Sequence, residues 1–227
     1  MCDENLTFEL LLCTMPEILP EALERYVAEH STPESDVLSA LNRQTYLKVM
    51  MPQMLSGHVQ GRVLSMLSHM IKPKRILEIG TFTGYSALCL AEGLQEDGKL
   101  TTIDINEELT PMVKQAIENA GMQNKIDVVV GNALQIIPTL NETFDIVFID
   151  ADKQNYQKYF DLVINKVPVG GWILADNVLW SGRVIEQKHD KDTAAIHAFN
   201  QYVSTHPRVD QVIFAVRDGI SVCRRVG

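Results

Sequence analysis

RILEIGTFTGYSALCLAEGLQEDGKLTTID, residues 75–104, decides the fold. RILEI (75–79) and LTTID (100–104) are apolar runs of strand length. Between them Gly80 and Gly84 flank a turn, and Tyr85–Leu94 reads as a helix. Downstream the same alternation repeats. IDVVV (126–130), DIVFI (145–149) and WILAD (172–176) read as strands, and Glu107–Ala120, Tyr156–Lys166 and Lys191–Thr205 as further helices that separate them. Regular strand–helix alternation predicts a parallel sheet with crossover helices on both faces. The end of the chain breaks the rule. VIFAV (212–216), DG (218–219) and ISVCRRV (220–226) leave no room for a crossover helix, so the last two strands form an antiparallel hairpin.

Upstream of Lys74 the texture is helical. A first helix is expected from Pro16 to about His30. STPESD (31–36) reads as a cap followed by an N1 proline, opening a second helix to about Met50. SGHVQGRVLSMLSHMIK (56–72) carries Val59, Val63, Leu64, Met66, Leu67 and Met70 at helical spacing, which is a core pattern rather than a ligand stripe. The expected architecture is α/β: a Rossmann-like, seven-stranded, mostly parallel sheet with a C-terminal antiparallel hairpin and N-terminal helices. Residues 1–227 form a single domain, with 1–72 as its helical portion and 73–227 as the ligand-binding core.

The bulk numbers narrow the function. The 227 residues suit one α/β domain, and 46% apolar content supplies its core. A net charge of −9 argues against a nucleic-acid partner, which calls for a basic face. Cys2, Cys13, Cys89 and Cys223 lie far apart with no CxxC pair, as expected of reduced thiols in a reducing compartment. MCDENLTFEL has acids where a signal peptide carries Lys or Arg, and no apolar run reaches membrane-spanning length. A cytoplasmic protein without a membrane partner is expected.

In a sheet of this kind ligands bind beyond the carboxyl ends of the strands. Five consecutive strand ends carry polar residues or glycine: Glu78-Ile79-Gly80, Asp104, Gly131-Asn132-Ala133, Asp150-Ala151-Asp152-Lys153 and Asp176-Asn177. The dinucleotide fingerprint G-x-G-x-x-G is missing, because Phe82 stands at the second glycine. A pyrophosphate needs that gap, so a nicotinamide-dependent oxidoreductase is the weaker alternative. A non-catalytic nucleoside-binding module is another. Asp104, some 24 residues after Gly80, suits a ribose, and the backbone at Ala133 suits an adenine edge. A nucleoside without phosphates suggests S-adenosylmethionine, whose positive charges match Glu78 and the acidic rim.

LEIGTFTGYSA, TTIDIN, FIDADKQNY and DNVLWSG, in this order and spacing, resemble the class I, cation-dependent O-methyltransferases, the group of caffeoyl-CoA and catechol O-methyltransferases and their bacterial relatives. The last two motifs are the specific ones, and the resemblance covers residues 54–227. It implies that Glu78, Gly80, Thr81 and Ser86 line the S-adenosylmethionine site, with Ser56 at its edge. Asp104 then holds the ribose, Ala133 meets the adenine, and Asp150 and Asp152 lie against the cofactor. It implies a divalent cation held by Asp150, Asp176 and Asn177, with Lys153 as catalytic base. Asn132 departs from the Asp frequent in the family. A homodimer is implied as well.

The chemistry requires such residues. Three oxygen donors without Cys or His select magnesium, or else manganese or calcium, over zinc. A vicinal diol on an aromatic ring could complete the shell by chelation. A phenol, with a pKa of about 10, is a poor nucleophile until a cation favours its anion. Lys153 would take the proton, and the phenolate would attack the sulfonium methyl. Positioning alone can contribute roughly 7–11 kcal/mol. The implied substrate is thus a catechol-like or phenolic small molecule. Tyr156 and Trp180 could wall an aromatic acceptor or be ordinary half-buried aromatics, and Arg183 could meet an acidic substrate group or solvent.

Overall fold

The computed structural model describes residues 19–227. Cys2, Cys13 and the start of the helix expected from Pro16 lie outside the described residues. Within them, helices α1 (Glu21–Glu29), α2 (Asp36–Lys48) and α3 (Gly57–Ile71) precede the sheet. Then follow β1 (Arg75–Ile79), α4 (Tyr85–Ala91), β2 (Lys99–Asp104), α5 (Thr110–Asn119), β3 (Ile126–Val130) and the short α6 (Ala133–Ile136). The chain closes with β4 (Ile146–Ile149), α7 (Tyr156–Val163), β5 (Trp172–Ala175), α8 (Lys191–Ser204), β6 (Val209–Phe214) and β7 (Ile220–Arg225).

The seven strands form one sheet in the order β3-β2-β1-β4-β5-β7-β6. The first five are parallel, and β7 runs antiparallel between β5 and β6. The expected fold is borne out, hairpin included. Side-chain alternation divides the core into two layers. Ile76, Phe148 and Leu174 point to one face and pack with Leu64, Tyr85 and Leu88. Leu77, Val147 and Ile173 point to the other and pack with Tyr156, Phe160 and Phe199. β4 is buried at all four positions, as a strand covered on both faces must be. Each such side chain contributes about 1.5–3 kcal/mol of burial.

Several boundaries differ from expectation. α2 starts at Asp36, not after Ser31, because Ser35 Oγ accepts the Leu38 amide at 3.4 Å. The Ser31 hydroxyl is taken up by donating to the Val27 carbonyl at 2.7 Å. The helix expected over Glu107–Ala120 divides at Thr110-Pro111 into a 3-10 turn, Glu107–Leu109, and α5. β6 begins three residues earlier than Val212, extended by pairing with β7 from Val209↔Arg225. α4 and α7 stop at Ala91 and Val163, short of Leu94 and Lys166. Cys89 and Cys223 are free and buried, and burial pushes their thiols up to about 12 and about 11. They are structural, as expected.

Sheet order places the site. β1 lies between β2 and β4, so the crossovers leave it in opposite directions and open a crevice at its carboxyl end. There Gly80 meets β4 edge to edge. Its φ is 101°, and a Cβ on it would stand 1.9 Å from the Asp150 carbonyl oxygen. No other residue type fits that contact.

Candidate active site

The turn after β1 is built around Asp104. One carboxylate oxygen of Asp104 accepts the backbone amides of Thr81 and Phe82 at 2.9 and 2.8 Å. The other accepts the Asn106 amide at 2.8 Å. Phe82, at φ 49°, is held in a left-handed conformation by these bonds. Beneath the turn lies Glu78, fully buried on β1. Thr102 donates to its Oε2 at 2.5 Å, and the Thr102 and Thr81 hydroxyls are 2.5 Å apart. Oε1 is buried without a hydrogen-bond partner. Burial pushes the Glu78 carboxyl up to about 8, against the hydrogen bonds from Ser86 and Thr102. A buried acid with a free oxygen suits a cationic ligand group.

Above it opens a cleft lined by Ser56, Gly80, Thr81, Ser86 and Asp150, with Met54, Leu55, Phe82 and Tyr85 completing its walls. Five of the residues expected at the cofactor are thus brought together. Asp104 and Ala133 stand further along the rim, at the ends of β2 and β3. Asn132 keeps its local task, because its amide oxygen accepts the Leu134 amide at 2.9 Å and caps α6. Asp152 is exposed, accepts the Tyr159 hydroxyl at 2.5 Å and faces the Asn155 amide.

The second half of the site gathers at β4 and β5. Lys153 Nζ donates to Asp150 Oδ1 at 3.0 Å, to Asn177 Oδ1 at 2.7 Å and to the Tyr156 hydroxyl at 2.6 Å. The Tyr156 hydroxyl donates to the Asp176 carbonyl at 3.0 Å. Tyr156 is fully buried, so it supports Lys153 and does not wall a substrate. Trp180 is half-buried, its ring 5.8 Å from Nζ. Arg183 pairs with Asp190. Asp176 is 3% exposed and accepts Gln60 Nε2 at 2.6 Å and the Asn177 amide at 2.7 Å. Burial, then the charge of Asp150, pushes the Asp176 carboxyl up to about 7, while Lys153 opposes the shift. Asn177, Trp180 and Ser181 have φ of 56°, 47° and 53°, a concentration of left-handed residues typical of functional loops. Among the described residues no cluster of three or more His, Cys, Asp and Glu side chains is placed to hold a metal. The candidate trio has two carboxylates and an amide.

Sequence reasoning missed Gln60, which lies one helical turn beyond Ser56 and reaches 116 residues along the chain to Asp176. Its signal lay in the small and polar positions of α3: Gln60, Gly61, Ser65 and Ser68 share the buried face with Leu64, whereas Met66 and Met70, expected in the core, are 62% and 79% exposed. It also missed Asp218, read only as part of a turn.

Comparison with known proteins bears on this geometry. A family model described as O-methyltransferase matches residues 28–226. The chain belongs to the O-methyltransferase family. Caffeoyl-CoA O-methyltransferase of Stellaria longipes is 33% identical to this O-methyltransferase over 220 residues, covering 91% of each chain. An O-methyltransferase from Bacillus cereus, solved in complex with SAH, superposes with a TM-score of 0.83 at 29% identity, over 90% of this chain and 97% of its own. TomG from Streptomyces achromogenes, solved with SAM and involved in tomaymycin synthesis, gives 0.83 at 28% identity, over 91% and 96%. This O-methyltransferase is therefore an S-adenosylmethionine-dependent enzyme of class I, and the nicotinamide and non-catalytic alternatives fall. No helix among its described residues is long and apolar enough to cross a membrane.

Proposed function

We propose that this O-methyltransferase transfers a methyl group from S-adenosylmethionine to a hydroxyl of a catechol-like or phenolic small molecule, with a divalent cation held by Asp150, Asp176 and Asn177. The observation that carries this reading is the convergence of Asp150 and Asn177 oxygens on the Lys153 ammonium, at 3.0 and 2.7 Å. These hard donors already close around one positive charge. Asp176 stands beside them with its carboxyl raised by burial and by Asp150. A dication would favour both acids as anions, so the residues fit such an ion. The all-oxygen set favours magnesium, with manganese or calcium as substitutes. The phenolic acceptor is supported by the caffeoyl-CoA name of the Stellaria relative.

When bound, the cation supplies the positive charge that favours an ionised acceptor hydroxyl. Every other task falls to the chain. Ser56, Gly80, Thr81 and Ser86 shape the cofactor cleft, Asp104 takes the ribose and the Ala133 backbone the adenine. Glu78 and Asp150 face the positive methionine end, and Asp152 flanks it. Lys153, as the neutral amine, takes the acceptor proton. The buried Tyr156 hydroxyl, fixed to the Asp176 carbonyl, guides Nζ to that position. The acceptor oxygen then forms its bond to the methyl carbon as the carbon–sulfur bond breaks, leaving a neutral thioether. Trp180 walls the acceptor side. The family resemblance supports a homodimer, and the free buried thiols support a cytoplasmic setting.

The test is methyl transfer to a panel of catechols with magnesium and with EDTA. Activity abolished by EDTA and restored by magnesium supports the cation reading. Activity indifferent to EDTA removes the role given to Asp150, Asp176 and Asn177.

A further inference from the structure

We propose that the hairpin turn Arg217-Asp218-Gly219 is the positioning element that holds the cofactor edge and the acceptor loop in register for methyl transfer. This rests on the reading that segment 53–56 borders the cofactor and segment 177–183 the acceptor. The three residues of the turn hold two separate strips of backbone. Arg217 Nη1 donates to the carbonyls of Leu55, at 2.5 Å, and Ser56, and Nη2 to that of Gln53 at 3.4 Å. Met54, Leu55 and Ser56 form one wall of the cleft whose other wall is the Gly80–Ser86 turn. One guanidinium thus sets the width of the cofactor cleft.

Asp218 faces the other way. Its Oδ1 accepts the Ser181 amide and its backbone carbonyl accepts the Leu179 amide at 2.9 Å. Its carboxylate also lies in reach of the Asn177 side chain and of the Lys153 charge. Gly219 completes the brace by accepting the Val178 amide at 3.1 Å. A Cβ on Gly219 would stand 2.4 Å from Leu179 Cγ, and its φ is 84°. The turn therefore lies flat against the loop that carries Asn177 and Trp180. Its mount is rigid, because Ile220 and Ser221 directly after it are fully buried and Ser221 pairs with Ala175 of β5.

Backbone strain points to the same role. Arg217 has φ 47°, a conformation that costs a non-glycine residue on the order of 1 kcal/mol or more. A free surface arginine would relax from it. Here three carbonyl acceptors on a segment some 160 residues away hold it in place. The two bonded segments, 53–56 and 178–181, lie far apart in the chain, and this turn bonds to both.

The experiment uses the full chain as wild type, Arg217→Ala, Arg217→Lys and Asp218→Ala. Calorimetry with S-adenosylhomocysteine reads the cofactor half without added metal. Steady-state kinetics on a catechol with magnesium reads the acceptor half, and thermal unfolding is recorded for each variant. Arg217→Ala is expected to weaken S-adenosylhomocysteine about tenfold, the loss of charged hydrogen bonds, with the acceptor KM unchanged. Arg217→Lys, which keeps the charge but not the fork, recovers part of that affinity. Asp218→Ala is expected to raise the acceptor KM with S-adenosylhomocysteine affinity unchanged. The proposal is overturned if both Arg217 variants bind S-adenosylhomocysteine as the wild type does. It is equally overturned if all variants lose both functions in proportion to a lowered melting temperature. Arg217→Lys decides the matter should Arg217→Ala not fold. A wild type that methylates no catechol sinks the acceptor reading alone, because the calorimetric arm still decides Arg217.

Discussion

Replacing Glu78 with Gln should remove a pH dependence that the wild-type fold carries. Glu78 is fully buried, and its carboxyl lies at about 8 in the folded chain against an ordinary 4.5. Between those values the folded chain keeps a proton that the unfolded chain has released. Stability contributed by the protonated form is complete below about 4.5 and lost as pH rises through about 8. From about pH 5.5 to about pH 8.5 the loss works out at about 3 kcal/mol, at 1.36 kcal/mol per pKa unit. Glutamine keeps the shape and the acceptor for Thr102 but cannot ionise. Urea unfolding of both proteins across that range measures the difference directly, and subtracting one from the other cancels the titration of every other group. The stability of Glu78→Gln relative to wild type should grow by that amount toward alkaline pH. A difference that stays constant with pH refutes the buried neutral acid. A second reading follows from the unpartnered Oε1. A cofactor ammonium placed there pulls the carboxyl down and expels a proton at about pH 7. Calorimetric heats of S-adenosylhomocysteine binding should then vary with the ionisation enthalpy of the buffer in the wild type and not in Glu78→Gln.

Other outcomes follow from single contacts. Lys153→Met should lower kcat by about 10²–10⁴-fold with S-adenosylhomocysteine affinity unchanged, as steady-state kinetics and calorimetry will show. Gly80→Ala should cost about 3 kcal/mol or more in urea unfolding, since the new Cβ meets the Asp150 carbonyl oxygen at 1.9 Å and φ is 101°. Ser35→Ala should cost about 1 kcal/mol through loss of the α2 cap, visible as a modest drop in Tm, whereas Ser31→Ala should have little effect.

The core of the fold was legible because its signals are local. The periods of RILEI and IVFI, the glycines at 80 and 84 and the DG turn each determine backbone within a few residues. The strand-end residues of the candidate site were legible for the same reason: once strands are parallel, their carboxyl ends share a rim. Helix boundaries were less so. STPESD offers several capping residues, and Ser35 is the one whose hydroxyl accepts an α2 amide, that of Leu38. Tyr156 was ambiguous because its aromatic ring fits either a wall or a core. The structure buries it, and its hydroxyl becomes a tether for Lys153.

By itself, then, the amino-acid sequence determined the alternation of strands and helices, the hairpin and the chemical character of the rim. These depend on periodicity and on conformational preferences that act over a few residues. Only the tertiary structure decided that Lys153 bridges Asp150 and Asn177, that Gln60 steadies Asp176, and that Arg217 and Asp218 brace the two halves of the cleft. Those contacts join residues up to some 160 positions apart. No local pattern encodes them. They exist because the order of strands in the sheet, set by burial on both faces, brings those segments within hydrogen-bond reach.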